Sequence, residues 1–426
     1  MDNNNLAQNF HCAKYLLPNY SRMSKPAKLK IGSPATGDHY FPRPAISRRL
    51  IKALRRDHIA FLGPRRTGKT SILRDLEKHP PAGFSALYLD LQGLRSVPAW
   101  LALMLKETKK LLQTPPDKLG WLKQAGKGTV SVLKRIEQIS LTGIKLTPGQ
   151  PAVDLWEPMA DEFLSLLREQ ELPIVFMLDE FPWFLSHVAA NHSAAEVDAT
   201  LNWFRKARQE LADGPTRFLV TGSIGLTGLL RRLGLSPAAN DFDSIDIEPL
   251  TDKESLQFLE ERADGEGITL SAAARRRVLQ RLGVGWPLLL GTFLSEIQDH
   301  AAEKSPTVKD IDHLYEERMV RSSRNKYCQE MLTRLTKPEM FSPSERRLAQ
   351  EILRNLCRSN QAFANDDFNA LHTRLVPDAA HRSLLATELD YVLETLRHDG
   401  YLVRQRDGLH TFASHILRDF WRHRTA

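Results

Sequence analysis

The sequence is short of the features that mark several large protein classes. It has 3 cysteines in 426 residues, Cys12, Cys328 and Cys357, and they lie far apart. Neither a disulfide framework nor a paired-thiol metal site is available, so buried or incidental thiols in a reducing compartment are expected. No apolar run reaches the roughly 20 residues of a membrane span. The longest, Leu172 to Leu185, is broken by Asp179 and Glu180. The stretch from Met1 to Leu6 has no basic start followed by an apolar core, so no signal peptide is read and a cytoplasmic location is expected. Internal repeats and low-complexity tracts are also missing. The excess of basic residues is small, 59 Lys and Arg against 51 Asp and Glu, for a net charge of +8. That balance permits a nucleic-acid or other acidic partner without requiring one.

What is present reads as a soluble globular chain. Hydrophobic residues make up 42% and charged residues 26%, and the length suggests two or three domains. Residues 1 to about 40 are polar and proline-bearing, an irregular leader. Ala45 to Asp57 has Ile46, Leu50, Ile51 and Leu54 at helical spacing, with arginines largely elsewhere. Five apolar segments then alternate with helical ones: His58–Leu62, Phe84–Leu91, Pro173–Leu178, Arg217–Thr221 and Asp243–Glu248. This alternation predicts a parallel sheet covered on both faces. Residues 114–152, rich in Pro and Gly with a helix near 129–138, read as an insertion between the second and third strands.

The most informative stretch is Gly63–Thr70, which fits G-x-x-x-x-G-K-[ST]. An apolar strand enters it and a helix, Ser71–Glu77, leaves it, the context that a phosphate-binding loop needs. Glycines let the backbone over Gly63, Pro64, Arg65, Arg66, Thr67, Gly68, Lys69, Thr70 and Ser71 turn toward phosphates, each residue but the proline offering an N–H, and the helix N-terminus adds positive potential. Lys69 is expected to reach the β- and γ-phosphates, and Thr70 to hold Mg²⁺ through its hydroxyl. The third strand ends in Asp179 and Glu180. Asp179 is the expected Mg²⁺ partner and Glu180 the group that polarises the attacking water. Ser223, in Thr221–Gly222–Ser223 at the end of the fourth strand, is the preferred γ-phosphate sensor, with Thr221 as second choice. Arg231 and Arg232 are candidates for a finger reaching a neighbouring subunit's γ-phosphate, with solvated helix positions as the alternative.

After Pro249–Leu250 the pattern turns helical. Thr251 and Glu254 form a capping box, and helices are predicted at 252–263, 271–282 and 286–299. The stretch 311–335 is polar and reads as a linker. Beyond 336, a helix capped by Ser342–Glu345 and another over Thr387–Asp399 precede alternating residues around Asp407–Gly408, a strong hairpin signal. Helices followed by such a hairpin predict a winged helix-turn-helix. His410 and His415 have poor metal spacing and read as structural.

Gly63–Thr70, Leu178–Glu180, Thr221–Ser223 and Gly285–Pro287 together resemble the archaeal-type ATPases of the STAND class, signal-transduction ATPases related to AAA+ and origin-recognition proteins. The resemblance spans about residues 40 to 300. It continues more loosely through Gly400–Leu402 and Leu417–Trp421. It implies an α/β phosphate-loop NTPase domain over 41–250, a helical lid over 251–310 and a winged helix over 336–426. It also implies ATP as the nucleotide, and places Gly285 and Pro287 near it. No arginine follows Pro287 within Leu288–Gly291, where typical AAA+ proteins carry a sensor. That departure favours a slowly hydrolysing, nucleotide-gated switch over a processive motor. Two other readings stay open: an ATP-dependent DNA-binding protein that uses the winged helix, or a regulator whose winged unit binds protein or autoinhibits. A nucleotide-dependent homo-oligomer and a protein partner are compatible with each, and no membrane role is expected.

Overall fold

A computed structural model describes residues 27–114, 128–144, 156–223, 225–235, 242–300, 305–323, 325–337, 340–359, 361–376 and 379–425. The leader before residue 27 and the insertion at 115–127 and 145–152 lie outside the described residues.

Helix α1 (Pro44–Leu54) starts on a proline, whose fixed φ and missing N–H suit a first turn. It buries Ile46, Leu50, Ala53 and Leu54 and leaves Arg48 and Arg49 exposed. The chain then alternates: β1 (Ile59–Leu62), α2 (Lys69–Lys78), β2 (Ser85–Asp90), α3 (Val97–Leu112), α4 (Gly128–Ile144), α5 (Trp156–Glu169), β3 (Ile174–Asp179), α6 (Phe181–Asn191), α7 (Ala194–Glu210), β4 (Arg217–Gly222), α8 (Leu226–Arg232) and β5 (Asp243–Asp246). The five strands are parallel, in the order β2-β3-β4-β1-β5. Strands β3 and β4, in the middle, are buried at every position. That follows from their near-continuous apolar runs, which only a sheet covered on both faces can bury.

The two faces carry separate cores. One packs Trp100, Phe163, Phe184 and Phe204 with the helices on that side. The other packs Leu50, Leu73, Met177 and Leu219 beneath α1 and α2. Helix α4 extends the predicted 129–138 helix at both ends, and α6 begins directly after the acidic strand end, where no separate helix is predicted.

His58, just before β1, is 3% exposed and shows how the sheet's lower edge is fixed. The Phe218 N–H donates to its Nδ1 (3.0 Å), and its Nε2–H donates to the Arg208 carbonyl (3.0 Å). Both nitrogens are therefore used in the neutral form, and burial lowers the imidazole to about 4.

From residue 250 onward the chain is helical: α9 (Asp252–Gly265), α10 (Ala272–Leu282), α11 (Pro287–His300) and α12 (Val308–Leu314), continued by a π-helical turn (Tyr315–Val320). Then come α13 (Lys326–Leu335), α14 (Pro343–Ser359), α15 (Asn365–Leu375), α16 (Ala379–His398), the antiparallel hairpin β6 (Leu402–Arg404) and β7 (His410–Phe412), and α17 (His415–Thr425). The hairpin falls where Asp407–Gly408 predicts it, with Gly408 at φ 87°. Helix α15 was not foreseen, because its turns carry few apolar residues.

One hydrophobic cluster runs through this whole half, from Leu250 to Trp421. It includes residues of the stretch read as a polar linker: Ile311, Leu314, Tyr315, Met319, Cys328 and Met331 are all buried. Its polar composition misleads because the charged side chains pair on the outer face. Arg277 and Arg281, for example, both donate to Asp312 (2.6 Å). Among the described residues no helix is long and apolar enough to cross a membrane.

Candidate functional site

The site is built at the C-terminal ends of β1, β3 and β4. Gly63 has φ 147°, and a Cβ there would stand 2.7 Å from Ile247 Cγ2, so the tight exit from β1 needs glycine. Gly68, at φ 97°, is the N-cap of α2. Between them the Thr67 hydroxyl donates to the Pro64 carbonyl (2.8 Å) and closes the loop on itself. Lys69 is 5% exposed and donates from Nζ to the carbonyls of Gly63 and Pro64, both at 2.7 Å. Burial lowers its ammonium to about 8, with Glu180 and Asp179 opposing that.

Asp179 is 3% exposed. Its Oδ2 accepts from the Thr70 hydroxyl (2.8 Å) and the Tyr88 hydroxyl (2.9 Å), and its Oδ1 accepts from the Glu180 N–H (3.1 Å). Burial raises its pKa, while the Thr70 and Tyr88 hydrogen bonds and Lys69 pull the other way. Tyr88 lies under the Arg74 guanidinium, 3.5 Å from the ring centre, and burial beside Asp179 keeps its hydroxyl protonated. Sequence reasoning missed Tyr88, which sits inside an apolar strand with no motif around it.

Glu180 has φ 58°, a left-handed conformation uncommon for a residue with a side chain. It is the N-cap of α6. Its Oε2 accepts from the Ser223 N–H (3.2 Å) and the Ser223 hydroxyl (3.1 Å). Burial raises its pKa, and neighbouring Asp179 raises it further. The turn after β3 is locked to the end of β4: a Cβ at Gly222 would fall 2.5 Å from Pro182 Cδ. The Thr221 hydroxyl is buried without a hydrogen-bond partner among the described residues.

A cavity of about 390 Å³ opens beside the loop. Its walls include Thr67 to Ser71, Asp179 and Glu180, and opposite them Phe41, Phe258, Arg262, Pro287 and Leu288. Leu29, Lys30 and Gly32 to Ala35 of the predicted leader also line it. They are held there because Arg262, 2% exposed, donates to the carbonyls of Ala27 (3.3 Å) and His39 (3.1 Å). Pro287 thus stands in the cavity wall. Gly285 does not; it packs on α9, where a Cβ would stand 2.2 Å from Ser255 Oγ and 2.5 Å from the Leu250 carbonyl oxygen.

The C-terminal half meets the loop directly. Glu330 on α13 pairs with Arg65 (3.0 Å) and Arg66 (2.5 Å). A Cβ at Gly400 would lie 2.9 Å from Pro64 Cγ. Arg334, also on α13, donates to the Ser223 carbonyl (2.9 Å) and to Asp399 (2.8 Å). No local pattern marks these residues, since they come together only through the fold. Arg231 and Arg232 face the same half. Arg232 bonds Glu345 (2.6 Å) and the Met340 carbonyl (2.8 Å), and Arg231 lies 4.0 Å from Glu394. Arg232 is half-buried in these contacts, and Arg231 remains exposed.

The α/β half therefore has a phosphate-loop NTPase fold with a parallel sheet, followed by a helical half that carries a two-stranded hairpin before its last helix. No protein-family model matches the chain, and no curated protein matches it. Among solved structures it is similar to the Aeropyrum pernix ORC2 protein in ADPNP–ADP complexes. The identity is 14%, over 89% of this chain and 91% of that one, with a TM-score of 0.47. It is also similar to the Thermotoga maritima RuvB Holliday junction branch migration motor (15% identity, 89% and 94% covered, TM-score 0.40). A third is the Aeropyrum pernix ORC1 protein in complex with DNA (15%, 88% and 90%, TM-score 0.37).

Proposed function

We propose that the chain is an ATP-binding and slowly ATP-hydrolysing switch, whose nucleotide state sets how the helical half sits on the phosphate loop. The observation that carries this reading is the 2.8 Å bond between the Thr70 hydroxyl and Asp179 at the foot of the loop, with Glu180 next in sequence. The donor set fits Mg²⁺: a hydroxyl and a buried carboxylate are hard oxygen ligands, and burial makes Asp179 a poor free anion in need of a cation. Thr70 and Asp179 would hold Mg²⁺, which would supply positive charge against the phosphates. Lys69 serves the phosphates from the loop, Glu180 orients water, and Ser223 holds Glu180 in place. Phe41, Phe258 and Leu288 offer apolar walls for a base. We keep the partition into a lid over 251–310 and a winged helix over 336–426 as part of this proposal, and Pro287 as its contact with the nucleotide.

The test is a pair of variants. Lys69→Ala abolishes nucleotide binding, whereas Glu180→Gln keeps binding and loses turnover by about 10²-fold or more. Undiminished hydrolysis by Glu180→Gln sinks the assignment of the base. A second reading, DNA binding through the hairpin, is favoured by the exposed Arg404, at the end of β6, and Arg406, in the turn. It requires DNA affinity that falls steeply with salt. If none is found at low salt, the hairpin is a protein-contact or autoinhibitory element.

A further inference from the structure

We infer that Arg334 is a phosphate ligand supplied in cis from the helical half: the terminal phosphate of a nucleoside triphosphate replaces Asp399 as its acceptor. The inference rests on the ATP-switch reading above. Arg334 is 1% exposed. Only its Nη2 is used, by the Ser223 carbonyl and Asp399. Its Nε and Nη1 have no acceptor among the described residues, and neither does Asp399 Oδ1 have a donor. A guanidinium carries five N–H donors in a fixed fork. Leaving most of them idle in a buried place is costly, and an apolar pair of the same volume would join two helices as well. A purely structural role therefore explains the position poorly.

The surroundings explain it better. The Ser223 carbonyl binds Arg334 while the N–H and hydroxyl of Ser223 bind Glu180. The guanidinium thus lies one residue from the group that orients water. Asp399 is followed by Gly400, which rests on Pro64 of the phosphate loop. Arg334 and Asp399 are therefore seated between the start of the loop and the end of β4. An arginine with free donors is suited to that place, because its planar fork matches phosphate oxygens. A triphosphate takes up the idle donors, releases Asp399 and loosens the end of α16 from the loop. A diphosphate does not reach them.

The test compares dissociation constants for ADP and for a non-hydrolysable ATP analogue, both with Mg²⁺, on the full chain. The variant is Arg334→Met/Asp399→Leu, which removes both charges and leaves none buried alone. The preference for the triphosphate is expected to fall about ten-fold or more, the worth of a hydrogen bond to a charged group, with ADP affinity changed less than about two-fold. Asp399→Asn, which keeps Arg334 but weakens its competing acceptor, raises the preference. An unchanged preference in the double variant, or equal losses for both nucleotides, overturns the inference and leaves the ATP reading standing. A wild-type chain that binds neither nucleotide sinks both.

Discussion

The candidate site has two sides that are built in opposite ways. On the sheet side, Gly63 to Thr70, Asp179–Glu180 and Ser223 come from short runs of consecutive residues at strand ends. Backbone conformation alone brings them into place, as the glycine angles at Gly63 and Gly68 show. On the helical side, Glu330, Arg334, Asp399 and Gly400 come from two helices and the turn that follows the second, with 65 positions separating Arg334 from Asp399. The sheet side is local and legible; the helical side exists only once the chain has folded. On the reading proposed above, chemistry belongs to the first and control to the second, so the two should respond differently to mutation.

The largest effect is expected at the helical side. Arg334→Met leaves Asp399 buried and unpaired and should lower stability by about 3–5 kcal/mol. Adding Asp399→Leu should recover most of that loss, which chemical unfolding of the three variants would measure. If the single variant is as stable as the wild type, the buried pair is not the junction between the halves.

On the sheet side the corresponding test is acid. The neutral His58 accepts from Phe218 N–H, and its folded value is lowered to about 4 from 6.5. Below 6.5 the unfolded chain takes up a proton that the folded chain refuses. Stability is therefore complete above 6.5 and falls as pH drops toward 4, by up to about 3 kcal/mol. Unfolding midpoints between pH 7 and 4, compared with His58→Gln, check this. A variant with the same acid sensitivity would move the cause elsewhere.

Two smaller tests sharpen the contrast at the contact itself. Gly400→Ala puts a Cβ at φ 80° and against Pro64, with an expected cost of about 1–2 kcal/mol and a looser contact between hairpin and loop. Limited proteolysis of the two halves would read that loosening. Glu330→Gln removes a half-exposed partner from Arg65 and Arg66 and should cost about 1 kcal/mol or less, fading with added salt. A loss that persists in high salt would mean that this pair is shielded from solvent.

The same contrast explains what was legible in the sequence. The loop, the acidic strand end and the five strands were readable because each is a local pattern with a period or a fixed spacing. The buried role of 311–335 was not, since Ile311, Leu314 and Tyr315 stand among charges that pair on the far face. The cavity-lining role of Leu29, Lys30 and Gly32 to Ala35 depends on Arg262 and was equally hidden. Arg231 and Arg232 look like free basic helix residues in sequence, and only packing reveals Glu345 and Glu394 beside them.

Strand β4 is the gauge block of the whole machine. The loop strand β1 and the acidic strand β3 never touch; β4 stands between them. Two interstrand spacings, about 10 Å, therefore set the width of the slot across their ends. Because side chains alternate along a strand, a slip of β4 by one residue would leave that width unchanged but turn its face over. Thr221 and Ser223 would exchange places with Gly222, and Glu180 would lose both of its hydrogen bonds at once. Tolerance to length change should be lowest in this one short strand, even though it carries none of the loop's residues.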